Sequence, residues 1–194
     1  MASHVVAPLR EHIAYQLLYE LRDAPVGRRT LVERTGLTES VVRTELKKLE
    51  AQKFVSFSKL GTALTARGRQ FLAKKLSPIA DVRDVQLQNL MLDRCARMAH
   101  IRGGADGFSA WLYRDVAVRE GATATLLLTK RKGALCFIEG HEALAAQNPA
   151  DSEILERAFP TLNNGDLIVI VFGPTKGAVA RGLWAVLWAL ASNL

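Results

Sequence analysis

Hydroxyl and cationic side chains recur every three or four residues between positions 39 and 51. The series is Ser40, Arg43, Thr44 and Lys47, and Lys48 lies beside it. Residues at this spacing share one face of a helix. Arginine, lysine and hydroxyl side chains are the types that reach base edges and phosphates from a helix in the major groove of DNA. An ordinary solvated helix face has a similar composition, so the pattern alone leaves both interpretations open.

The elements around this segment predict a helix-turn-helix. Residues 39–51 are expected to form a helix with one buried side. That side carries an apolar stripe: Val42, Leu46 and Leu49. A shorter helix is predicted over residues 28–35, and Gly36 lies where a helix end favours a left-handed residue. Thr38 is expected to cap the next helix through its side chain.

A helix is predicted before this unit and a hairpin after it. Pro8 can open the first helix, whose apolar residues follow at four-residue spacing: Leu9, Ile13, Leu17 and Leu21. Residues 54–57 alternate like a strand, residues 58–62 can turn, and residues 63–64 can return as a second strand. Thr65 then opens a fourth helix. Helix, helix-turn-helix, hairpin and helix is the order of a winged helix domain.

The excess of positive over negative residues is confined to the first 80 residues of the chain. The net charge is +7, and residues 1–80 hold 14 Lys and Arg against 7 Asp and Glu, whereas residues 81–194 hold 12 of each. A basic domain attached to a neutral one suggests that a polyanion binds at one end. Simple solubility is the alternative, because small domains often carry this much charge.

The first part resembles the winged helix-turn-helix transcription factors of prokaryotes. The resemblance covers roughly residues 8–76 and is carried by Gly36-Leu37-Thr38, the segment from Leu46 to Glu50, Phe54-Val55, and a Leu-Thr-x-x-Gly ending at Gly68. It implies that residues 39–51 are the recognition helix and that Lys59 lies on the wing. Lys53 departs from the pattern, since Gly or Asn often ends that helix. Either Lys53 is left-handed, or Gln52 is the turning residue.

On this interpretation double-stranded DNA is the partner, and two sets of side chains would contact it. The residues expected to neutralise phosphates are Arg28, Arg29, Lys48, Lys59 and Arg67. The residues expected to face base edges are Ser40, Arg43, Thr44 and Lys47.

The second half is interpreted as a separate α/β domain with a mixed sheet, after a boundary at residues 77–80. A first strand-like run holds Val85, Leu87 and Leu92, and a second strand covers residues 96–101. Further along, the predicted elements are a helix over residues 108–120, a hairpin of residues 122–129 and 134–138, a helix over 153–159, a buried strand over 167–172, and a last helix over 176–191.

This half resembles a domain of unknown function that is found behind winged helices in archaeal proteins. The resemblance covers about residues 82–192 and is carried by the segments 102–106 and 114–122, whose sequences are Arg-Gly-Gly-Ala-Asp and Arg-Asp-Val-Ala-Val-Arg-Glu-Gly-Ala. It implies a regulator and brings no established ligand or reaction.

Several residues of this half are candidates for holding a small-molecule effector: Gly103, Gly104, Asp106, Arg114, Asp115, Thr175 and Lys176. Glycines let a ligand approach the backbone, and a helix start with a lysine attracts anions. The alternatives are a plain turn at Gly103-Gly104, structural pairing of Arg114 and Asp115 with other elements, since neighbours in sequence do not face each other on a helix, and a tight strand-to-helix connection at residues 173–177.

The remaining residues carry few signals for chemistry. The four histidines show no metal-ligand spacing, and no nucleophile motif is present, so we expect no cofactor, no metal and no enzyme. Cys95 and Cys136 stand in no redox motif and are interpreted as buried thiols, although pairing stays open. No stretch is apolar enough for a membrane span. The apolar last helix belongs either to the core or to a homodimer contact.

The sequence therefore predicts an α+β protein with a winged helix DNA-binding domain over residues 1–80 and an effector-binding or dimerisation domain over residues 81–194. The expected function is a cytoplasmic, homodimeric transcriptional regulator. Two alternatives stay open: a small α/β metabolic enzyme fused to a regulatory winged helix, and a winged-helix adaptor that binds proteins.

Overall fold

The computed structural model describes residues 11–104 and 110–193. The chain divides into two compact units, of which the first ends at Ala73 and the second begins at Lys74. The predicted boundary at residues 77–80 includes the start of a strand at Ile79. The predicted opening at Pro8, and residues 105–109 of the second half, lie outside the described residues.

Three helices open the first unit: α1 (Glu11–Glu20), α2 (Arg28–Thr35) and α3 (Glu39–Ala51). The last two begin and end where the sequence predicts. Gly36 has a φ of 66° and its N–H donates to the Val32 carbonyl at 2.9 Å, so the predicted left-handed helix end is confirmed. Thr38 stands before α3 but makes no side-chain cap. The cap prediction is wrong because the Thr38 hydroxyl hydrogen-bonds the Ser40 hydroxyl at 3.1 Å.

A hairpin and a fourth helix complete this unit: β1 (Val55–Ser58), β2 (Gly61–Leu64) and α4 (Ala66–Leu76). The second strand is longer than predicted because Gly61 and Thr62, which were expected in the turn, pair with Ser58 and Phe57 of β1. Val26 adds an isolated bridge on the other side of this strand. The backbones of Val26 and Thr62 exchange two hydrogen bonds of 2.9 Å. Gly61 has a φ of 120°, and a Cβ there would lie 2.7 Å from the Val26 carbonyl. Only glycine fits this approach.

Lys53 is the left-handed residue at the end of α3, with a φ of 62°, whereas Gln52 is right-handed. The Phe54 N–H donates to the Leu49 carbonyl and the Lys53 N–H to the Glu50 carbonyl. These two bonds close the Schellman motif that commonly ends a helix. Of the two alternatives left open, the structure therefore has Lys53.

The second unit contains a five-stranded sheet. Four of its strands are seven to ten residues long, and one edge strand has four residues. The strands are β3 (Ile79–Val85), β4 (Cys95–Gly104), β5 (Ala124–Arg131), β6 (Ala134–Phe137) and β7 (Asp166–Gly173). Their order in the sheet is β3-β4-β7-β5-β6, and every pairing is antiparallel. The α+β class is confirmed, but the prediction of a mixed sheet is wrong. The strands β4 and β5 run parallel to each other, yet β7 lies between them.

Helices cover both faces of this sheet: α5 (Ala110–Arg119), α6 (Leu144–Gln147), α7 (Pro149–Ala158) and α8 (Lys176–Asn193). The alternate residues Ile168, Ile170 and Phe172 pack with Leu144 and Leu155 of α6 and α7. The opposite face contacts α5 and α8. The strand β7 is buried throughout, which confirms its prediction as a central strand.

The apolar helix α8 belongs to the core of this unit. Its Leu183, Trp184 and Val186 are fully buried. Of the two interpretations given for this helix, the structure therefore favours the core over a homodimer contact.

The predicted first strand of this half is misplaced. Leu87 is buried but follows β3 in a loop, and Leu92 is 52% exposed. The fully buried Asp151 carboxylate accepts the N–H groups of Gln88, Asn89 and Leu90. An irregular segment can be buried because this carboxylate satisfies its backbone donors.

Candidate nucleic-acid interface

The helix α3 separates apolar and polar residues as the sequence predicts. Val42, Leu46 and Leu49 belong to the core of the first unit. The other face is exposed to solvent along the whole helix, and it carries Ser40, Arg43, Thr44, Lys47 and Lys48. This face presents three cations and two hydroxyls. The exposed carboxylates of α3, Glu39 and Glu50, stand at the two ends of the helix.

A groove of about 280 Å³ lies between α3 and the wing hairpin. Three predicted DNA-binding residues line it: Arg28, Arg43 and Lys47. The hairpin side is lined by Phe57, Ser58, Gly61 and Thr62. The structure therefore brings a residue of α2 together with two of α3, a grouping that sequence spacing does not show.

The predicted cations differ in what they contact. Arg28 lies 3.5 Å from Glu39, Arg29 lies 3.3 Å from Glu33, and both pairs are exposed. Exposed pairs of this kind contribute little and are screened by salt, so a phosphate can replace the carboxylate. Arg43 and Lys47 form no ion pair within residues 11–104 and 110–193 of the structure.

Two of the predicted DNA-binding residues also contact another side chain of the first unit. Lys48 Nζ donates to Glu45 Oε1 at 2.7 Å, and the Glu45 side chain is only 11% exposed. The Arg67 guanidinium lies 5.3 Å from the centre of the Phe54 ring, a cation–π contact. Both residues therefore support the local fold besides presenting charge.

The wing turns through only two residues, Lys59 and Leu60. The Ser58 hydroxyl stabilises this turn by donating to the Gly61 carbonyl and accepting from the Leu60 N–H. Leu60 is 81% exposed and Phe57 48% exposed. Sequence reasoning missed both as surface residues. Phe57 follows the buried Val55 by two residues, so strand alternation places it on the buried face. An apolar tip beside Lys59 is suited to a groove wall.

In the second unit the described effector candidates Arg114 and Lys176 line different cavities. Arg114 lines a cavity of about 260 Å³ between α5 and the β5–β6 hairpin. Lys176 lines another of about 300 Å³ beside Arg94 and Cys95. Thr175 caps α8, because its hydroxyl accepts the Ala178 N–H at 3.2 Å, as expected for a tight connection. Asp106 lies outside the described residues.

Gly103 and Gly104 end the strand β4, and Gly103 has a φ of 67°. The Gly103 N–H donates to Asp166 Oδ1 at 2.9 Å. This contact favours a structural role for Gly103. Arg114 and Asp115 approach to 3.9 Å, at the limit of an ion pair. Neighbours in sequence were not expected to face each other.

The pair of His100 and Asp166 is buried and was not predicted. His100 Nε2 lies 2.8 Å from Asp166 Oδ2, which also accepts the Asn163 N–H at 2.9 Å. Burial opposes ionisation of Asp166, but hydrogen bonds from Asn163, Gly103 and His100 outweigh it and lower the pKa of this carboxyl. The pair ties the end of β4 to the start of β7.

Some expectations concern groups that the structure does not bring together. In the part of the chain that the structure describes, no cluster of His, Cys, Asp and Glu could hold a metal ion. Cys95 and Cys136 are both free thiols. No helix among the described residues is long and apolar enough to cross a membrane.

Comparison with known proteins defines the class of both units. Residues 13–79 match the family described as the CggR N-terminal DNA-binding domain. Residues 100–190 match a domain of unknown function, DUF4443. The protein thus combines a helical DNA-binding domain with an α+β domain of unknown function, as the two resemblances implied.

A curated relative is the central glycolytic genes regulator of Priestia megaterium, with 25% identity over 172 residues. The match covers 87% of this chain but 47% of the relative, so the chain spans about half the length of that protein. These similarities support a DNA-binding transcriptional regulator.

A solved structure shares the fold. It is a hypothetical protein from Pyrococcus horikoshii OT3, with a TM-score of 0.76 and 22% identity over 93% of both chains. The archaeal origin implied by the second resemblance stays a prediction.

Proposed function

We propose that the protein is a transcriptional regulator that binds double-stranded DNA through α3 and the wing. The observation that carries the proposal is the groove in which Arg28, Arg43 and Lys47 face the hairpin. A helix with exposed cations and hydroxyls fits the major groove, while Lys59 and Leu60 extend from the neighbouring turn. The match of residues 13–79 to a DNA-binding domain supports this arrangement.

Within this proposal the residues divide by task. Arg43 and Lys47, with Ser40 and Thr44, read base edges, because all four are exposed on α3 and the two cations also line the groove beside the wing. The phosphates are held by the flanking cations Arg28, Arg29, Lys48, Lys59 and Arg67. In the complex, a DNA phosphate takes the place of Glu39 beside Arg28, and another takes the place of Glu33 beside Arg29.

The proposal assigns residues 1–80 to DNA binding and residues 81–194 to effector sensing or dimerisation. A cytoplasmic homodimer reading two half-sites is consistent with this class. The similarity to a regulator favours a protein without catalytic activity over a fused enzyme.

The test is binding of the full chain to genomic DNA fragments across a salt series. We expect binding to selected fragments. The logarithm of the binding constant should fall linearly with the logarithm of the salt concentration. The double variant Arg43→Ala plus Lys47→Ala is expected to lose the selective fragments, at a cost of about 1–3 kcal/mol for each base contact removed, while its remaining non-selective binding keeps a similar salt slope.

The matched control is Arg119→Ala plus Arg157→Ala, which removes the same charge from exposed positions of the second unit. It should bind like the parent protein. Absence of binding at low salt would overturn the proposal in favour of the adaptor alternative. Equal loss in both double variants would show that net charge, and not the α3 face, is what DNA recognises.

A further inference from the structure

The cavity between α5 and the β5–β6 hairpin has the features of a small-molecule site. Its volume is about 260 Å³, slightly below the usual range for drug-sized ligands. Trp111, Phe137 and Ile138 give it apolar walls, and Arg114 and Glu139 are the charged residues among its lining. Apolar walls combined with a few convergent polar groups are the usual form of a ligand site.

One helix face supplies three of the nine lining residues. Ala110, Trp111 and Arg114 are three and four residues apart on α5, so they point to the same side. Trp111 is 60% exposed. An aromatic ring left open to solvent beside a cavity is typical of a surface that a ligand covers.

The hairpin leaves polar groups at the other wall. The strand β6 ends at Phe137, opposite Leu128, whereas Ala124, Thr125 and Leu126 pair only with β7 within the described strands. The Ile138 N–H donates to the Leu127 carbonyl, so by alternation the backbone groups of Thr125 point to the same open edge. The Thr125 hydroxyl is buried and has no hydrogen-bond partner among the described residues.

The two charges of the cavity are not consumed by each other. Glu139 forms no ion pair or hydrogen bond in the described part of the chain, and the ion pair that Arg114 makes there is with Asp115, at 3.9 Å. A cation and an anion that line one cavity without pairing match a ligand that carries both charges. Guanidinium groups bind carboxylates in a bidentate manner, and a carboxylate accepts from an ammonium group.

We propose that this cavity binds a small zwitterion of the amino-acid type with an apolar side chain. Arg114 holds its carboxylate, Glu139 holds its ammonium group, and the side chain packs against Trp111 and Phe137. That such a ligand changes DNA affinity rests on the proposed function; that it binds does not.

The experiment is calorimetric titration of the full chain with two matched series, in the absence of DNA. One series is L-leucine, 4-methylpentanoate and 3-methylbutylamine, and the other is L-phenylalanine, 3-phenylpropanoate and 2-phenylethylamine. We expect at least one amino acid to bind at least tenfold more tightly than its acid and its amine. Arg114→Gln and Glu139→Gln should each weaken that binding tenfold or more.

The controls Arg119→Gln and Glu156→Gln change exposed charges outside the cavity lining and should bind like the parent. No binding of either amino acid, equal binding of acid and zwitterion, or binding unchanged in both cavity variants would overturn the proposal. DNA binding of the unliganded chain is measured separately, so failure here and failure of the regulator proposal are distinguishable.

Discussion

The backbone of Gly68 lies directly against the carbonyl group of Phe54. A Cβ atom on residue 68 would overlap the Phe54 oxygen and lie 2.9 Å from its carbon. The same carbonyl accepts the Thr65 N–H at 3.0 Å, and the Thr65 hydroxyl accepts the Gly68 N–H at 3.0 Å. The Leu-Thr-x-x-Gly ending therefore joins the start of α4 to the segment between α3 and the wing.

Gly68→Ala is expected to destabilise the protein by about 1–3 kcal/mol, because the obstacle is rigid backbone and the fold must shift to admit a methyl group. Urea denaturation followed by circular dichroism measures the change. Gly27→Ala is the control, since nothing lies within 4 Å of its added Cβ and its φ is −69°. Equal stability of Gly68→Ala and the parent would contradict the close approach.

Lys53→Gly is expected to stabilise the protein by about 0.5–1 kcal/mol, because the lysine is held in a left-handed conformation that costs glycine nothing. Thermal unfolding measures the effect. Gln52→Gly should act in the opposite direction, since Gln52 is right-handed and glycine there only adds unfolded-state entropy. A lower melting temperature for Lys53→Gly would disprove the strain.

Stability should fall in acid through Asp166. Its pKa is lowered in the folded state, so its contribution is fully present above the unfolded value of about 3.9 and is lost as the pH falls through the folded pKa. Urea midpoints between pH 7 and pH 3 measure this. Asp166→Asn should have a lower urea midpoint than the parent at pH 7. The difference between the two midpoints should become smaller in acid. Asp23→Asn, at an exposed carboxylate, should leave the profile unchanged, and an identical profile for both variants would argue against the buried pair.

Asp151→Asn is expected to destabilise the second unit by about 1–3 kcal/mol. The Asn side chain has one acceptor oxygen, and its NH2 group cannot accept the remaining backbone N–H groups. In this variant, the amide hydrogens of Gln88, Asn89 and Leu90 should exchange faster than in the parent. Exchange of the sheet amides should change less. The exposed Glu153→Gln on the same helix is the control. Protection of residues 88–90 that survives in Asp151→Asn would refute the anchoring role.

Removing one phosphate contact is expected to change the salt dependence without changing the fold. Lys59→Ala should reduce the slope of log affinity against log salt by about 1, since Lys59 lies on the exposed wing turn. Its melting temperature should match the parent. Lys132→Asn is a control because it removes one charge from an exposed turn of the second unit while tolerating a positive φ. An unchanged slope for Lys59→Ala would remove the wing from the proposed interface.

The sequence by itself determined the elements whose signals are local. The bounds of α2 and α3 follow from one apolar stripe, the glycine at position 36 and helix periodicity, all of which act within a few residues. The continuous apolar run of β7 likewise identified a strand covered on both faces. The exposed face of α3, with Arg43 and Lys47, came from spacing alone.

Only the tertiary structure decided which separate elements meet. Arg28 joins Arg43 and Lys47 because α2 packs against α3, whereas Arg114 and Lys176 line different cavities. Asp151 reaches backbone groups more than 60 residues away. Periodicity tells which side of an element is buried, but it carries no information on strand direction or on distant partners. The antiparallel sheet and the cavity beside Trp111 were therefore set by how the elements pack.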